Sequence, residues 1–290
     1  MTSKKHDLKN HVFRISGIPT LFKVWTLQIP EMKKTALVTG ASSGIGLELA
    51  KIHASKGDNL VIVSRNKNKL LEIKKDFEKE FKVSVYVIVK DLSVAGSAIE
   101  VYDEVKKQKI KVDYLINNAG MGSFGEFSKS EWDTEHKMIQ LNVTSLTYFC
   151  KLFLKDMVRQ GSGKIMNVAS IAGFQPGPLM AVYFATKSYV LHFSEAIGNE
   201  LVGKGVTVTA LCPGPTISGF EKSAGMGESV LFRGKKLPSS REVALYGYES
   251  MIDGKAVAVH GWKNRLLINM SRFVPRSLVV KMARRSVERG

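Results

Sequence analysis

A chain of 290 residues with 44% apolar side chains fits one large domain or two small ones and has the composition of a globular protein with a sizeable core. No apolar run reaches the eighteen or so residues a spanning helix needs, and the six histidines and two cysteines show no metal-ligand spacing, so no metal site is expected. The net charge of +17 gathers at the ends, seven Lys/Arg against two acids in residues 1–34 and nine against one in residues 255–290; with no nucleic-acid reading motif among these cations no nucleic-acid partner is expected, which leaves peripheral contact with an anionic membrane or a solvated basic face.

Residues 1–32 read as an N-terminal basic and apolar arm. The apolar stretch from His11 to Pro30 is broken by Arg14, Gly17, Pro19 and Lys23, and no small-residue cleavage site follows it, so it does not read as a signal peptide. Phe13, Leu21, Phe22 and Trp25 are its candidate interfacial anchors. From Thr35 strands and helices alternate. The expected strands are Thr35–Thr39, Asn59–Val63, Val83–Val89, Val112–Ile116, Lys164–Ala169, Val206–Leu211 and Lys255–Val259. Between them lie a helix after the first strand, a charged amphipathic helix over 66–80, a helix ending near Gln108, a long helical region over 130–159 and a helix over 181–202. This pattern predicts an α/β, Rossmann-type doubly wound fold, a seven-stranded mostly parallel sheet with helices on both faces, as one domain over 33–260. Residues 261–290 read as a basic helical C-terminal extension. Cys150 and Cys212 lie within apolar segments and read as buried thiols of a reducing, cytoplasmic compartment.

Thr39-Gly-Ala-Ser-Ser-Gly-Ile-Gly46 follows the first strand and opens a helix, the context of a dinucleotide-binding loop. Gly40 permits the tight turn, Gly44 the close approach of a pyrophosphate and Gly46 close helix–strand packing, and the helix N-terminus offers its N–H groups to the phosphates. A glycine-rich connector is the plainer alternative, since the spacing is Gly-x-x-x-Gly-x-Gly. Other unusual residues cluster where such sheets bind ligands, beyond the carboxyl ends of the strands: Arg65, Asp91, Asn117–Gly120, Ser170 and Pro213–Thr216. Tyr183 and Lys187 stand four apart at a helix start, so phenol and ammonium share a face. A cation beside a phenol stabilises the phenolate, which brings the tyrosine toward acid–base work at neutral pH. Ser170, thirteen residues earlier at a strand end, can hydrogen-bond a carbonyl or alcohol. The pair alone is equally an exposed helix face; the nucleotide loop is what favours the chemical reading.

Together these motifs resemble the short-chain dehydrogenase/reductase family, in family order and spacing over about residues 33–260. The resemblance implies cofactor contacts from Gly40, Ser42, Ser43, Gly44, Ile45 and Gly46, from Asp91 and Leu92 at the adenine, from Asn118, Ala119 and Gly120, and from Pro213, Gly214 and Thr216 at the nicotinamide amide. It implies a catalytic tetrad of Asn142, Ser170, Tyr183 and Lys187, in which Tyr183 transfers the proton, Lys187 holds the ribose and lowers the tyrosine pKa, Ser170 orients the substrate oxygen and Asn142 positions a relay water. Asn142 is alternatively a helix-kinking residue, and Asp91 alternatively a helix N-cap. The second strand ends Val63-Ser-Arg-Asn66 without the acid that bonds a ribose 2′-hydroxyl, whereas Arg65, Ser64 and Ser42 can hold a 2′-phosphate. NADP(H) is therefore expected over NAD(H). The stretch from Gly261 to Val280 is similar to a bacterial branch often labelled DltE-like oxidoreductases. The function implied is NADP(H)-dependent hydride transfer between nicotinamide and an apolar or lipid-like carbonyl or alcohol; the alternative is a nucleotide-binding sensor or membrane-surface protein with little turnover. The substrate loop is expected over 217–237, with Met226, Phe232, Arg233, Lys235 and Lys236, opposite a wall formed by Gly173–Pro178. The family's habit of pairing through long helices implies a homodimer or homotetramer.

Overall fold

The computed structural model describes residues 33–226, 237–271 and 273–288, the side chain of Lys222 excepted. The N-terminal arm with its candidate anchors, and Phe232, Arg233, Lys235 and Lys236 of the expected substrate loop, lie outside the described residues.

Seven parallel strands, β1 (Thr35–Thr39), β2 (Asn59–Ser64), β3 (Val85–Val89), β4 (Tyr114–Asn117), β5 (Gly163–Val168), β6 (Val206–Cys212) and β7 (Val257–Val259), form one sheet in the order β3-β2-β1-β4-β5-β6-β7. The order reverses at β1 and β4, and the crevice beyond their carboxyl ends is where doubly wound sheets place ligands. Because strand side chains alternate between faces, β1 feeds two cores. Leu37 packs with Val61, Phe149, Phe153 and Val190 on one side. Ala36 and Val38 pack with Ile62, Leu49, Phe77 and Val243 on the other. The helices α1 (Gly44–Ser55), α2 (Lys67–Phe81) and α8 (Ser240–Ile252) cover the second face, and α3 (Ser97–Lys107), α5 (Leu146–Gln160) and α6 (Ala181–Glu200) cover the first.

The doubly wound architecture is as expected; several element limits are not, for local reasons. Lys82, closing α2, adopts a left-handed conformation (φ 56°), so Val83 and Ser84 make the exit turn and β3 begins at Val85. After α8 it is Gly254 that turns left-handed (φ 71°), the Lys255 N–H donates to the Ser250 carbonyl at 2.9 Å, and β7 starts at Val257. The long helical region expected over 130–159 is present as an unbroken run of α4 (Trp132–Ile139), a π-helical stretch over Gln140–Ser145 and α5. Helix α3 starts at Ser97 after Gly96, so Asp91 does not cap it.

Helix α8 was not expected, although its start carries a legible signal. Ser239 and Glu242 form a reciprocal capping box: the Glu242 N–H donates to Ser239 Oγ at 3.2 Å, and the Ser239 N–H to Glu242 Oε2 at 2.6 Å. Beyond β6 a short helix, α7 (Phe220–Ser223), precedes α8, and after β7 come α9 (Trp262–Ser271) and α10 (Arg276–Val287). Ser239→Ala should cost about 1 kcal/mol of stability. Urea denaturation checks this; a change below the error of the measurement would show that the box does not hold the α8 start.

Candidate active site

The glycine loop is set by two contacts. Gly40 turns with φ +67°, a conformation L side chains rarely adopt. At Gly46 a Cβ would lie 2.3 Å from Asn118 Nδ2 and 2.4 Å from the Gly40 carbonyl, so only hydrogen fits between the α1 start and the β4 end. Asn118 Nδ2 donates to the carbonyls of Thr39 (3.0 Å) and Gly40 (3.3 Å). The Thr39 hydroxyl accepts from the N–H groups of Asn118 and Ala119, each at 3.0 Å, and donates to the Ile116 carbonyl at 3.3 Å. Thr39 thus stitches the ends of β1 and β4 together, a role the sequence reading did not give it.

Asn142 lies in the π-helical stretch, 1% exposed. Its Oδ1 accepts from the Met121 N–H at 3.0 Å, and its Nδ2 donates to the Met121 carbonyl at 2.9 Å and to Thr186 Oγ1 at 3.1 Å. The wide helical turn carries this side chain from the α4–α5 rod to the segment after β4 and to α6; such bulges recur at functional sites. One turn on from Tyr183, Lys187 is buried and donates to the Val168 carbonyl at 2.7 Å. Its ammonium stands 5.9 Å from the centre of the Tyr183 ring. The Ser170 hydroxyl accepts from the Ala172 N–H at 3.1 Å and donates to the Pro213 carbonyl at 3.4 Å. All four expected tetrad residues therefore stand at one carboxyl edge, Asn142 joined through Thr186 to the Tyr183 carbonyl, Lys187 anchored on Val168 at the β5 end and Ser170 on Pro213 just past β6.

A cavity of about 100 Å³ opens at this edge. Ser170 and Tyr183 line it together with Met180, Phe184, Phe220 and Met226, and Ser286 and Val287 of α10 close it. Phe220 packs beside Tyr183 with ring centres 5.2 Å apart and planes tilted by 40°. Phe220 falls within the expected substrate loop and α10 within the expected helical extension, but periodicity alone gives no sign of what a C-terminal helix folds against. A larger groove of about 880 Å³ lies alongside, lined by Gly173–Pro178, the outer side of α6 and the start of α10; it shares only Gln175 and Phe184 with the cavity at the tetrad. The wall expected from Gly173–Pro178 borders this groove and reaches the tetrad cavity at Gln175 alone.

The family model for short chain dehydrogenases matches residues 34–228, more than half the chain. The protein belongs to the short-chain dehydrogenase family. It is 33% identical over 205 residues to the very-long-chain 3-oxoacyl-CoA reductase-A of Danio rerio, a match spanning 67% of this chain and 63% of that one. It is 31% identical over 181 residues to an uncharacterized oxidoreductase of Staphylococcus saprophyticus, covering 62% of this chain and 77% of that one. Among solved structures, a short-chain dehydrogenase from Sphingobium yanoikuyae in complex with NADPH superposes with a TM-score of 0.74 at 29% identity, covering 83% of this chain and 94% of that one. The bulky-bulky ketone specific alcohol dehydrogenase from Comamonas testosteroni gives a TM-score of 0.71, also at 29% identity, over 83% and 92%.

The residues of this short-chain dehydrogenase fit a nicotinamide dinucleotide. Besides the bare backbone at Gly46, the Cα of Gly120 faces the tetrad; a Cβ there would stand 3.3 Å from Asn142 Oδ1 and 3.5 Å from Lys187 Nζ. Among the described residues the one hydrogen-bond acceptor of the Lys187 ammonium is the Val168 carbonyl, which leaves donors for ligand hydroxyls. At the β2 end Arg65 is exposed, its Nη1 3.8 Å from Asp91 Oδ2. Asp91 is held by Ser93, whose N–H and hydroxyl both donate to Oδ1 (2.9 and 2.7 Å). The neighbouring Leu92 is buried, and its carbonyl accepts from Ser145 Oγ at 2.7 Å. In the Pro213–Thr216 segment, Thr216 Oγ1 donates to the Gly214 carbonyl at 2.8 Å.

Burial pushes the Tyr183 phenol up to about 12, and the Ser170 hydroxyl only partly offsets it. Burial also pulls the Lys187 ammonium down to about 8. The two groups share the same dry surroundings, and loss of water disfavours the charged form of each. The unfolded lysine keeps its proton to about pH 10.5, so between about 8 and 10.5 the unfolded chain holds more protons and stability rises with pH. Lys187→Met should therefore be more stable than the wild type at pH 7, with the gap narrowing toward pH 10. Chemical denaturation at the two pH values checks this; a gap independent of pH would mean that the folded lysine titrates normally.

Proposed function

We propose that the protein is an NADP(H)-dependent oxidoreductase that interconverts an apolar ketone or aldehyde and the corresponding alcohol. The observation that carries this reading is that Ser170 and Tyr183 line one largely apolar cavity while Lys187, buried one helical turn on, holds its ammonium 5.9 Å from the centre of the Tyr183 ring. When bound, the nicotinamide supplies or accepts the hydride. In the reductive direction the Ser170 hydroxyl, fixed by the Ala172 N–H, donates to the substrate carbonyl oxygen and polarises it. The Tyr183 phenol gives that oxygen its proton. The resulting phenolate forms in a site from which water is largely excluded, and the adjacent ammonium is what balances it. Asn142 keeps the Met121 segment and Thr186 in register beneath the lysine.

The apolar preference rests on Met180, Phe184, Phe220, Met226 and Val287 around the cavity, and it agrees with the substrates named for the zebrafish and Comamonas relatives. The preference for NADP(H) rests on Arg65 and Ser64 in place of an acid at the end of β2, and one structural relative was solved with NADPH.

Fluorescence titration with NADPH and NADH should favour NADPH in the wild type. Arg65→Ala should weaken NADPH about tenfold, the scale of one charge-assisted hydrogen bond, and leave NADH unchanged; equal losses for both nucleotides would defeat the phosphate assignment. With a panel of apolar ketones and aldehydes, Tyr183→Phe should lower kcat by at least about a hundredfold while nucleotide binding persists. Turnover close to the wild-type rate in that variant would remove the tyrosine from the mechanism. Tight nucleotide binding with no carbonyl of the panel reduced would instead favour a nucleotide sensor.

A further inference from the structure

The last two helices each have a face that nothing in the described fold covers. In α9 the buried side chain is Ile268, and Trp262, Leu266 and Met270, spaced four apart, form an exposed apolar stripe that runs on to Phe273, which is 90% exposed. In α10 Ala283 and Val287 are buried, whereas Leu278 and Met282 are exposed. At 100° per residue Leu278 lies about 180° around the helix from Val287. Apolar groups exposed at this density exceed the scattered singles of an ordinary surface and mark an interaction face.

Charge selects the partner. Lys263, Arg265, Arg276, Lys281, Arg284 and Arg285 are interleaved with these side chains, and Glu288, which pairs with Arg284 at 2.9 Å, is the one acid among the described residues from 262 to 288. A second copy meeting this face through a twofold axis would set the same cations against themselves. An anionic lipid surface instead accepts the apolar side chains in its interfacial layer and the cations at its headgroups, with the long stems of Lys and Arg spanning the two. Among the described residues no helix is long and apolar enough to cross a membrane, so the geometry is that of an element lying on the surface.

We propose that α9 and α10 seat this protein on anionic membranes, with Trp262, Leu266, Met270 and Phe273 entering the interfacial layer and the flanking cations binding lipid headgroups. The proposal deepens the reductase reading, because Ser286 and Val287 on the inner side of α10 wall the candidate cavity. One helix then faces lipid on one side and the substrate space on the other.

The test is flotation of the full-length protein with vesicles of phosphatidylcholine, with and without phosphatidylserine. Wild type should float with the phosphatidylserine vesicles and be released by salt. The triple variant Leu266→Ser, Met270→Ser, Phe273→Ser should lose at least about tenfold in partitioning, since burial of each such side chain is worth roughly that factor. Lys281→Glu with Arg285→Glu should weaken binding to the anionic vesicles. All of these positions are exposed; circular dichroism and NADPH titration verify that the variants fold. Undiminished flotation of the triple variant would overturn the proposal, whatever residues 1–32 contribute. Absence of wild-type binding, with dimers in light scattering that the triple variant dissolves, would assign the face to self-association and equally overturn it. None of these readouts requires turnover, so their failure is distinct from failure of the reductase reading.

Discussion

A positive charge held out of water organises the candidate site. The Lys187 ammonium is buried against the Val168 carbonyl, and burial alone draws its pKa down to about 8. Such a group is a standing cost to the fold, and its neighbours are arranged to keep it in place. Gly120 leaves room beside the Asn142 amide, Asn142 fastens the segment after β4 to α6 through Thr186, and Ser170 occupies the turn just past β5. Burial disfavours the charged form of both neighbours, the ammonium of Lys187 and the phenolate of Tyr183. Titratable groups perturbed together in this way are common where protons are transferred.

Where residue type and spacing determine backbone geometry, the sequence was readable. The glycine loop, the seven strands and the placing of Tyr183 and Lys187 on one helix face all follow from periodicity and from glycine's lack of a side chain. Features that depend on partners far along the chain were not readable. Thr39 looks like an ordinary strand residue until Asn118 and Ala119 are seen to donate to its hydroxyl. The π-helical stretch at Asn142 has no pattern of its own, because what demands it is the backbone of Met121. The upward push of burial on the Tyr183 phenol was unreadable for the same reason: spacing reveals a neighbouring charge, whereas loss of solvent is a property of the packed whole. Helix α8 is a different case, since the Ser239/Glu242 signal lay in plain view.

The division between common core and particular protein is visible in the cavity. Ser170, Tyr183, Phe220 and Met226 come from within the span matched by the family model, whereas Ser286 and Val287 lie well beyond it. Asn264 of α9 also reaches back, meeting the place where a Cβ of Gly214 would sit, at 2.5 Å. The reacting groups are thus held by the shared fold, and part of the surface that decides what reaches them is supplied by helices outside it. That separation lets one chemistry serve different substrates without disturbing the tetrad.

The strand order also bears on how the chain reaches this state. β1 lies inside the sheet, third of the seven strands, and its partner on one side is β4, with Ala36 beside Tyr114 and Val38 beside Ile116. The Thr39 stitch to Asn118 and Ala119 closes the same long loop. Every such contact requires the intervening β2, α2, β3 and α3 to be made first or folded around, and closure of long loops before any reward is what slows parallel α/β domains. A chain emerging from the ribosome can pair β1 with β2 early, but it leaves the other edge of β1 open until β4 arrives. During synthesis the glycine loop is consequently an exposed strand end in need of a partner, and the nucleotide cradle comes into being with the arrival of Asn118.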